Sequence, residues 1–104
     1  MTAPKSPELV ALLKRLRRDL GRDAFVVRDH WEADLCATGI ARVGAPGVLA
    51  YVSVFQQPTE RFFLELEQPT ASAYEVVGSW ESIAYPELLE RVAQHLGVAL
   101  PRTS

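Results

Sequence analysis

The sequence is short of cysteine and of long apolar runs, and each shortage excludes a class of protein. A single cysteine, Cys36, excludes an intramolecular disulfide framework and a zinc site built from several thiolates. Every apolar run is shorter than the ~18 to 20 residues that a membrane-spanning helix needs, and the N-terminal residues lack the apolar centre of a secretion signal. We therefore expect a cytoplasmic protein that makes no membrane contact.

The sequence also lacks the common motifs of catalysis. It contains no glycine-rich phosphate-binding loop and no Gly-x-Ser-x-Gly nucleophile elbow. Cys36 stands in an apolar run between Leu35 and Ala37, and this setting favours a buried, inert thiol over a reactive one. The sequence thus predicts no catalytic residue and no cofactor.

Net charge is low as well, at −2 for 104 residues, which argues against a nucleic-acid-binding protein. The low value is the balance of two unequal parts. Residues 1–28 hold seven basic and three acidic side chains, whereas residues 29–104 hold four basic and ten acidic ones. We therefore expect a basic first helix beside a mainly acidic remainder.

Two helices are predicted at the ends of the chain. Ser6 supplies a capping hydroxyl ahead of Pro7, leucines then recur at spacings of three and four, and Gly21 ends the pattern, which predicts a helix over residues 7–20. Pro86 opens a second apolar stripe that ends at Gly97.

The segment between the two helices is rich in β-branched and aromatic residues. Strands are predicted at residues 25–28, 35–43, 48–55, 61–67 and 74–80. Short connections join them, so the strands should pair antiparallel, and both apolar helix stripes need the same sheet face as cover. We expect a single α+β domain over residues 1–104, with an ordered core over 6–97 and short loose tails. Its predicted architecture is a two-layer sandwich of four or five strands with both helices on one face.

The other sheet face is predicted to carry aromatic side chains among carboxylates. In the fourth predicted strand, Phe63, Glu65 and Glu67 alternate with an apolar set that faces the helices. Neighbouring strands add Tyr51 and, depending on register, Glu75. Exposed aromatic area is typical of interface centres. With the acidic segment at residues 29–34 included, the candidate partner-binding residues are Trp31, Glu32, Asp34, Tyr51, Phe63, Glu65, Glu67 and Glu75.

Two other interpretations stay open. His30, Glu32 and Asp34 project to one side if their segment is extended, which suggests a metal-dependent hydrolase. Three ligands from one short segment seldom complete a coordination sphere, so we predict no metal ligand. In the other alternative, the chain is a homodimer whose open sheet face or sheet edge pairs with its own copy.

Five segments carry a resemblance to a known class of proteins. They are RDHWEADLCATGIAR, LAYVSVF, RFFLELE, YEVVGSWE and the closing PELLERVAQHL. In size, order of elements and acidic-aromatic surface, the chain resembles the small immunity proteins that neutralise bacterial toxins. The resemblance implies a non-enzymatic protein that binds a basic toxin domain by complementary charge and shape. It assigns no functional residue.

Overall fold

The computed structural model describes residues 5–28 and 34–100, which form two helices and one five-stranded sheet. The helices are α1 (Pro7–Leu20) and α2 (Tyr85–Leu96), and the strands are β1 (Phe25–Arg28), β2 (Ala37–Arg42), β3 (Ala45–Ser53), β4 (Arg61–Pro69) and β5 (Tyr74–Ala84). The sheet is an antiparallel meander in the order β1-β2-β3-β4-β5. The α+β fold predicted from the sequence is confirmed.

Local chemistry places both ends of α1 at the predicted residues. The Ser6 hydroxyl accepts a 3.3 Å hydrogen bond from the Leu9 amide, and Pro7 occupies the first turn, where its missing donor does not matter. The Gly21 amide donates to the Arg17 carbonyl and closes the last turn. Helix α2 begins at Tyr85, one residue before the predicted start, and ends at Leu96, where Gly97 caps it in the left-handed conformation (φ 72°).

Both helices cover one face of the sheet. Opposite residues of antiparallel strands share a face, and one such row crosses four strands as Thr38, Val52, Leu64 and Trp80. The first three of these side chains are buried. They form a single core with the leucine stripe of α1 and with Leu88, Val92 and Leu96 of α2. The opposite face, which we call the open face, has no helix of the described residues against it.

Three strands are longer than the sequence predicts, and one of them, β4, extends two residues further, to Pro69. Strand β3 begins at Ala45, where a turn over Gly44–Gly47 is predicted, and its pairing with β2 shifts register next to Arg42. Strand β5 continues past Trp80 to Ala84. Its pairing with β4 shifts register twice. Leu66 and Glu67 face Gly78 and Val76, which leaves Val77 as an extra, bulged residue, and the second shift lies between Phe62, opposite Ile83, and Leu64, opposite Trp80.

Candidate interaction surface

The centre of the open face is a row of side chains that crosses β2 to β5. Gly39 lies opposite Tyr51, Tyr51 opposite Glu65, and Glu65 opposite Ser79. In the adjacent row, Ser53 pairs with Phe63. The register of β3 and β4 therefore brings Tyr51, Phe63 and Glu65 together as the sequence suggests.

Strand β2 lines this face with small residues. Ala37, Gly39 and Ala41 are buried, although neither α1 nor α2 lies on this side. The larger side chains rise from the neighbouring strands β3 and β4. Tyr51 and Phe63 are each half-buried and meet edge to face, with ring centroids 5.8 Å apart and planes at 79°. Solvent therefore meets an aromatic pair at the middle of the face rather than backbone.

Asp34 adds a carboxylate at the end of the sheet where β2 begins. Its Oδ1 atom accepts a 3.0 Å hydrogen bond from the Cys36 amide, and its Oδ2 atom lies 3.5 Å from the Tyr51 hydroxyl. The Lys5 ammonium donates to the main-chain carbonyls of Asp34 and Ala37, at 2.6 and 3.0 Å. These contacts fix the segment that leads into β2 and hold the Asp34 carboxylate beside the aromatic pair.

The phenol of Tyr51 is kept in its neutral form. Burial raises its pKa above the ordinary 10.0, and the negative charges of Asp34 and Glu65 raise it further. The hydroxyl is therefore a hydrogen-bond donor at neutral pH.

Of the residues that the structure describes, three carboxylates and two guanidinium groups stand on this face, and one of the latter, Arg28, lies opposite Gly39 in the central row. Glu65 and Glu67 lie on β4 opposite Tyr51 and Leu49, and Asp34 stands at the strand ends. Arg61, at the margin, turns its guanidinium to Ser82 of β5, with donor distances of 2.8 Å to the carbonyl and 3.2 Å to the hydroxyl. The surface offers carboxylates beside aromatic rings, which suits a basic partner.

The bulge in β5 changes the predicted membership of this surface. Glu75 lies opposite Gln68 and donates no charge to the open face, since Gln68 alternates with Glu67 and is on the helix-covered side. The expectation that Glu75 joins the surface is therefore wrong for this register. Gln68 instead hydrogen-bonds the Glu75 carboxylate. Val76 takes the open-face position opposite Glu67.

Two candidates of the sequence analysis, Trp31 and Glu32, lie outside the described residues, as does His30 of the metal hypothesis. Asp34 is the member of that set that the structure places. Within residues 5–28 and 34–100, no group of three or more His, Cys, Asp or Glu side chains is arranged to hold a metal ion.

A cavity of about 500 Å³ opens next to Asp34 and was not predicted from the sequence. Among the described residues, Leu35, Cys36 and Phe55 also line it. Leu35 is 37% exposed and Phe55 60% exposed, so the cavity has two apolar side chains at its surface. Cys36 is half-buried, in contrast to the fully buried thiol that its apolar run suggests. The sequence signal for this cavity was Phe55, the aromatic residue at the end of the predicted third strand. In the structure β3 ends at Ser53, so Phe55 lies beyond the strand.

A second cavity, of about 470 Å³, lies between α1 and the β3–β4 connection. The Arg15 guanidinium crosses it to both carboxylate oxygens of Glu60, at 2.8 and 3.1 Å, and also stacks 3.7 Å from the centre of the Tyr85 ring. Since Arg15 already has an anionic partner and an aromatic partner, this cavity offers a weaker case for ligand binding than the open face.

Comparison with known proteins adds no identification. No family model, no curated protein and no solved structure matches the chain. No helix in the described part of the chain has the length and apolar character needed to cross a membrane.

Proposed function

We propose that this chain is a non-enzymatic interaction module that binds a basic protein domain through the open face of its sheet. In keeping with the resemblance to immunity proteins, the partner is a bacterial toxin domain, and binding neutralises it in the cytoplasm. The proposal is carried by one observation, the edge-to-face pair of Tyr51 and Phe63 with the carboxylates of Asp34 and Glu65 beside it.

The roles of these groups follow from the energetics of interfaces. Aromatic side chains near the centre of a patch supply most of the binding energy, whereas carboxylates around them act over a longer range and speed association with a cationic partner. The charged residues Glu65 and Glu67 are on a strand held on both sides by neighbours, so the surface is already formed before the partner arrives. A preformed surface lowers the cost of ordering on binding.

Charge reversal with a matched control tests the proposal. We suggest that the tagged wild-type chain, Glu65→Lys and Glu90→Lys be used to capture partners from the native lysate at equal salt. Glu90 is exposed on α2, in the opposite layer of the fold, and its reversal changes the net charge equally. A basic protein should be retained by wild type and Glu90→Lys and reduced at least about tenfold by Glu65→Lys.

The captured protein then tests the toxin assignment. Expressed alone it should stop cell growth, and co-expression of the wild-type chain, but not of Glu65→Lys, should restore growth. If all three baits retain the same proteins in the same amounts, the open face is not the binding surface. If the captured protein is harmless, the interaction module stands and the immunity role does not.

Self-association is a second candidate, and the exposed apolar residues of β5 favour it. Tyr74, Val76 and Val77 are 62%, 48% and 48% exposed on the outer strand of the sheet. Such an edge is a template for pairing with another strand, although the bulge at Val77 interrupts its regular hydrogen-bonding row. Light scattering over a range of concentrations distinguishes this candidate, since a homodimer formed by β5 would dissociate in the variant Val76→Lys.

A further inference from the structure

We propose that the cavity beside Asp34 receives an arginine side chain of the protein partner. This inference depends on the proposed function and specifies how the partner is recognised. It starts from the lining of the cavity, in which one carboxylate stands next to two exposed apolar side chains, Leu35 and Phe55.

The Asp34 carboxylate is the first feature that suits a cationic side chain. Its two carboxylate oxygens have neutral neighbours, the Cys36 amide and the Tyr51 hydroxyl. Within the described residues, no lysine or arginine lies within ion-pair distance of this carboxylate. The Lys5 ammonium donates to the main-chain oxygen of Asp34, at 2.6 Å. The carboxylate is thus half-buried, held in place and open to pairing with a cation from outside the fold.

The apolar walls are the second feature. Leu35 and Phe55 suit a side chain with an apolar stem and a planar cationic head that can stack on the ring. Arginine has both, because its methylene groups pack on apolar surface, its guanidinium stacks on aromatic rings, and its paired donors match a carboxylate. The volume of about 500 Å³ is ample for one such side chain.

The third feature is the position of the cavity relative to the open face. Asp34 joins the two, because its Oδ2 atom faces Tyr51 while its carboxylate also lines the cavity. A basic protein that covers Tyr51 and Phe63 therefore passes over the cavity mouth. An arginine at that point exchanges contacts with water for contacts with Asp34 and Phe55. Such a desolvated cationic side chain in a pocket is typical of a binding hot spot.

The decisive experiment uses N-acetyl-arginine amide as the probe and N-acetyl-citrulline amide as its neutral, nearly isosteric control. Each is titrated into the ¹⁵N-labelled chain, and amide shifts are followed by NMR. Arginine should shift Leu35, Cys36 and Phe55 with a dissociation constant on the order of 1 mM, while citrulline should leave them unchanged up to about 20 mM. Asp34→Asn should weaken arginine binding at least about tenfold.

Asp34→Asn keeps an oxygen that can accept the Cys36 amide, so the fold should persist, and its dispersed NMR spectrum verifies this. A second variant, Phe55→Leu, removes the ring and keeps an apolar wall, and it should weaken arginine binding by a smaller factor. The inference is wrong if citrulline shifts the same amides equally, if Asp34→Asn binds arginine as wild type does, or if arginine causes no shifts.

Failure of this inference is distinguishable from failure of the proposed function. In the capture experiment above, a partner that is lost by Glu65→Lys and kept by Asp34→Asn would show that the open face binds without the cavity. A partner kept by both variants would remove both proposals.

Discussion

Tyr51 and Phe63 meet edge to face across the β3–β4 pair, with ring centroids 5.8 Å apart, on the sheet face that the helices leave uncovered. The two residues are diagonal neighbours, since Tyr51 lies directly opposite Glu65 and Phe63 directly opposite Ser53. Long side chains reach one another over such a diagonal. The pair therefore ties two strands together and also presents aromatic surface beside two carboxylates.

Truncation of one ring separates these two roles. Phe63→Ala should weaken partner binding by about 2 kcal/mol, since a central aromatic anchor is lost. It should also lower the free energy of unfolding by about 1 to 2 kcal/mol through loss of the ring contact and its buried area. Calorimetric binding and urea unfolding measure the two effects. Val10→Ala, an exposed apolar truncation on α1, is the control and should leave binding unchanged.

The Trp80 ring lies over Gly78, and this contact makes another prediction. A Cβ atom on Gly78 would come within 2.6 and 2.8 Å of two atoms of the Trp80 ring, so Gly78→Ala must displace the indole from its position near Arg91, whose guanidinium is 5.2 Å from the ring centre. We expect a loss of about 1 kcal/mol in stability and a shift of the Trp80 emission to longer wavelength.

Fluorescence in a Trp31→Phe background reports on Trp80 alone, because the sequence holds two tryptophans. Ser79→Ala, one residue along and on the open face, should leave the emission unchanged. An unchanged spectrum for Gly78→Ala would show that the ring does not occupy this place.

The helix prediction succeeded because its signals are local. Ser6 and Gly21 act within one turn of α1, so the residues themselves determine where the helix begins and ends.

The Ser6 cap can be tested by substitution, because its effect is local. Ser6→Ala should lower stability by about 1 kcal/mol, and Ser6→Asp should retain it, because aspartate also caps the free amides. Urea unfolding checks both, and equal midpoints for wild type and Ser6→Ala would show that the 3.3 Å cap contributes nothing.

The strand prediction was less complete because register depends on distant residues. The alternation of side chains along β4 correctly places Phe63 and Glu65 on one face, since β4 itself has no bulge. The same pattern failed for Glu75, because the bulge at Val77 inserts one residue and reverses the alternation beyond it. Packing between strands determines where a bulge forms, and the local sign of it in YEVVGSWE is Gly78, because a glycine inside a strand often marks a bulge.

The candidate site was predictable to a similar degree. Tyr51, Phe63 and Glu65 share a face by strand alternation alone. The approach of Asp34 to Tyr51, seventeen residues away, depends on the turn before β2 and on Lys5 from the N-terminal segment. The cavity with Phe55 depends on the chain leaving β3 after Ser53, two residues before the predicted end. Contacts of this kind arise only once the fold is formed.

The contact between α1 and α2 predicts a specific pH dependence. The buried Tyr85 hydroxyl donates a 2.6 Å hydrogen bond to the Asp19 carboxylate, which also accepts from Arg18. Arg18 first and Tyr85 second hold the pKa of Asp19 below its usual 3.8. A carboxyl whose pKa is lower in the folded state stabilises the fold above pH 3.8, and this stabilisation is lost as pH falls through the lower folded-state value.

Removal of the Tyr85 hydroxyl should therefore lower the free energy of unfolding at neutral pH and have little effect on it in acid. Tyr85→Phe should lower the free energy of unfolding by about 1.5 kcal/mol at pH 7, the usual worth of a hydrogen bond to a charged group. The difference from wild type should shrink as pH falls below about 3.8, because Asp19 takes up a proton and no longer accepts as an anion. Unfolding measured by urea from pH 7 to about pH 2 follows this difference. Tyr74→Phe, at a ring that is 62% exposed, should match wild type throughout. A penalty for Tyr85→Phe that stays constant over this range would show that the Asp19 charge is not what the hydroxyl stabilises.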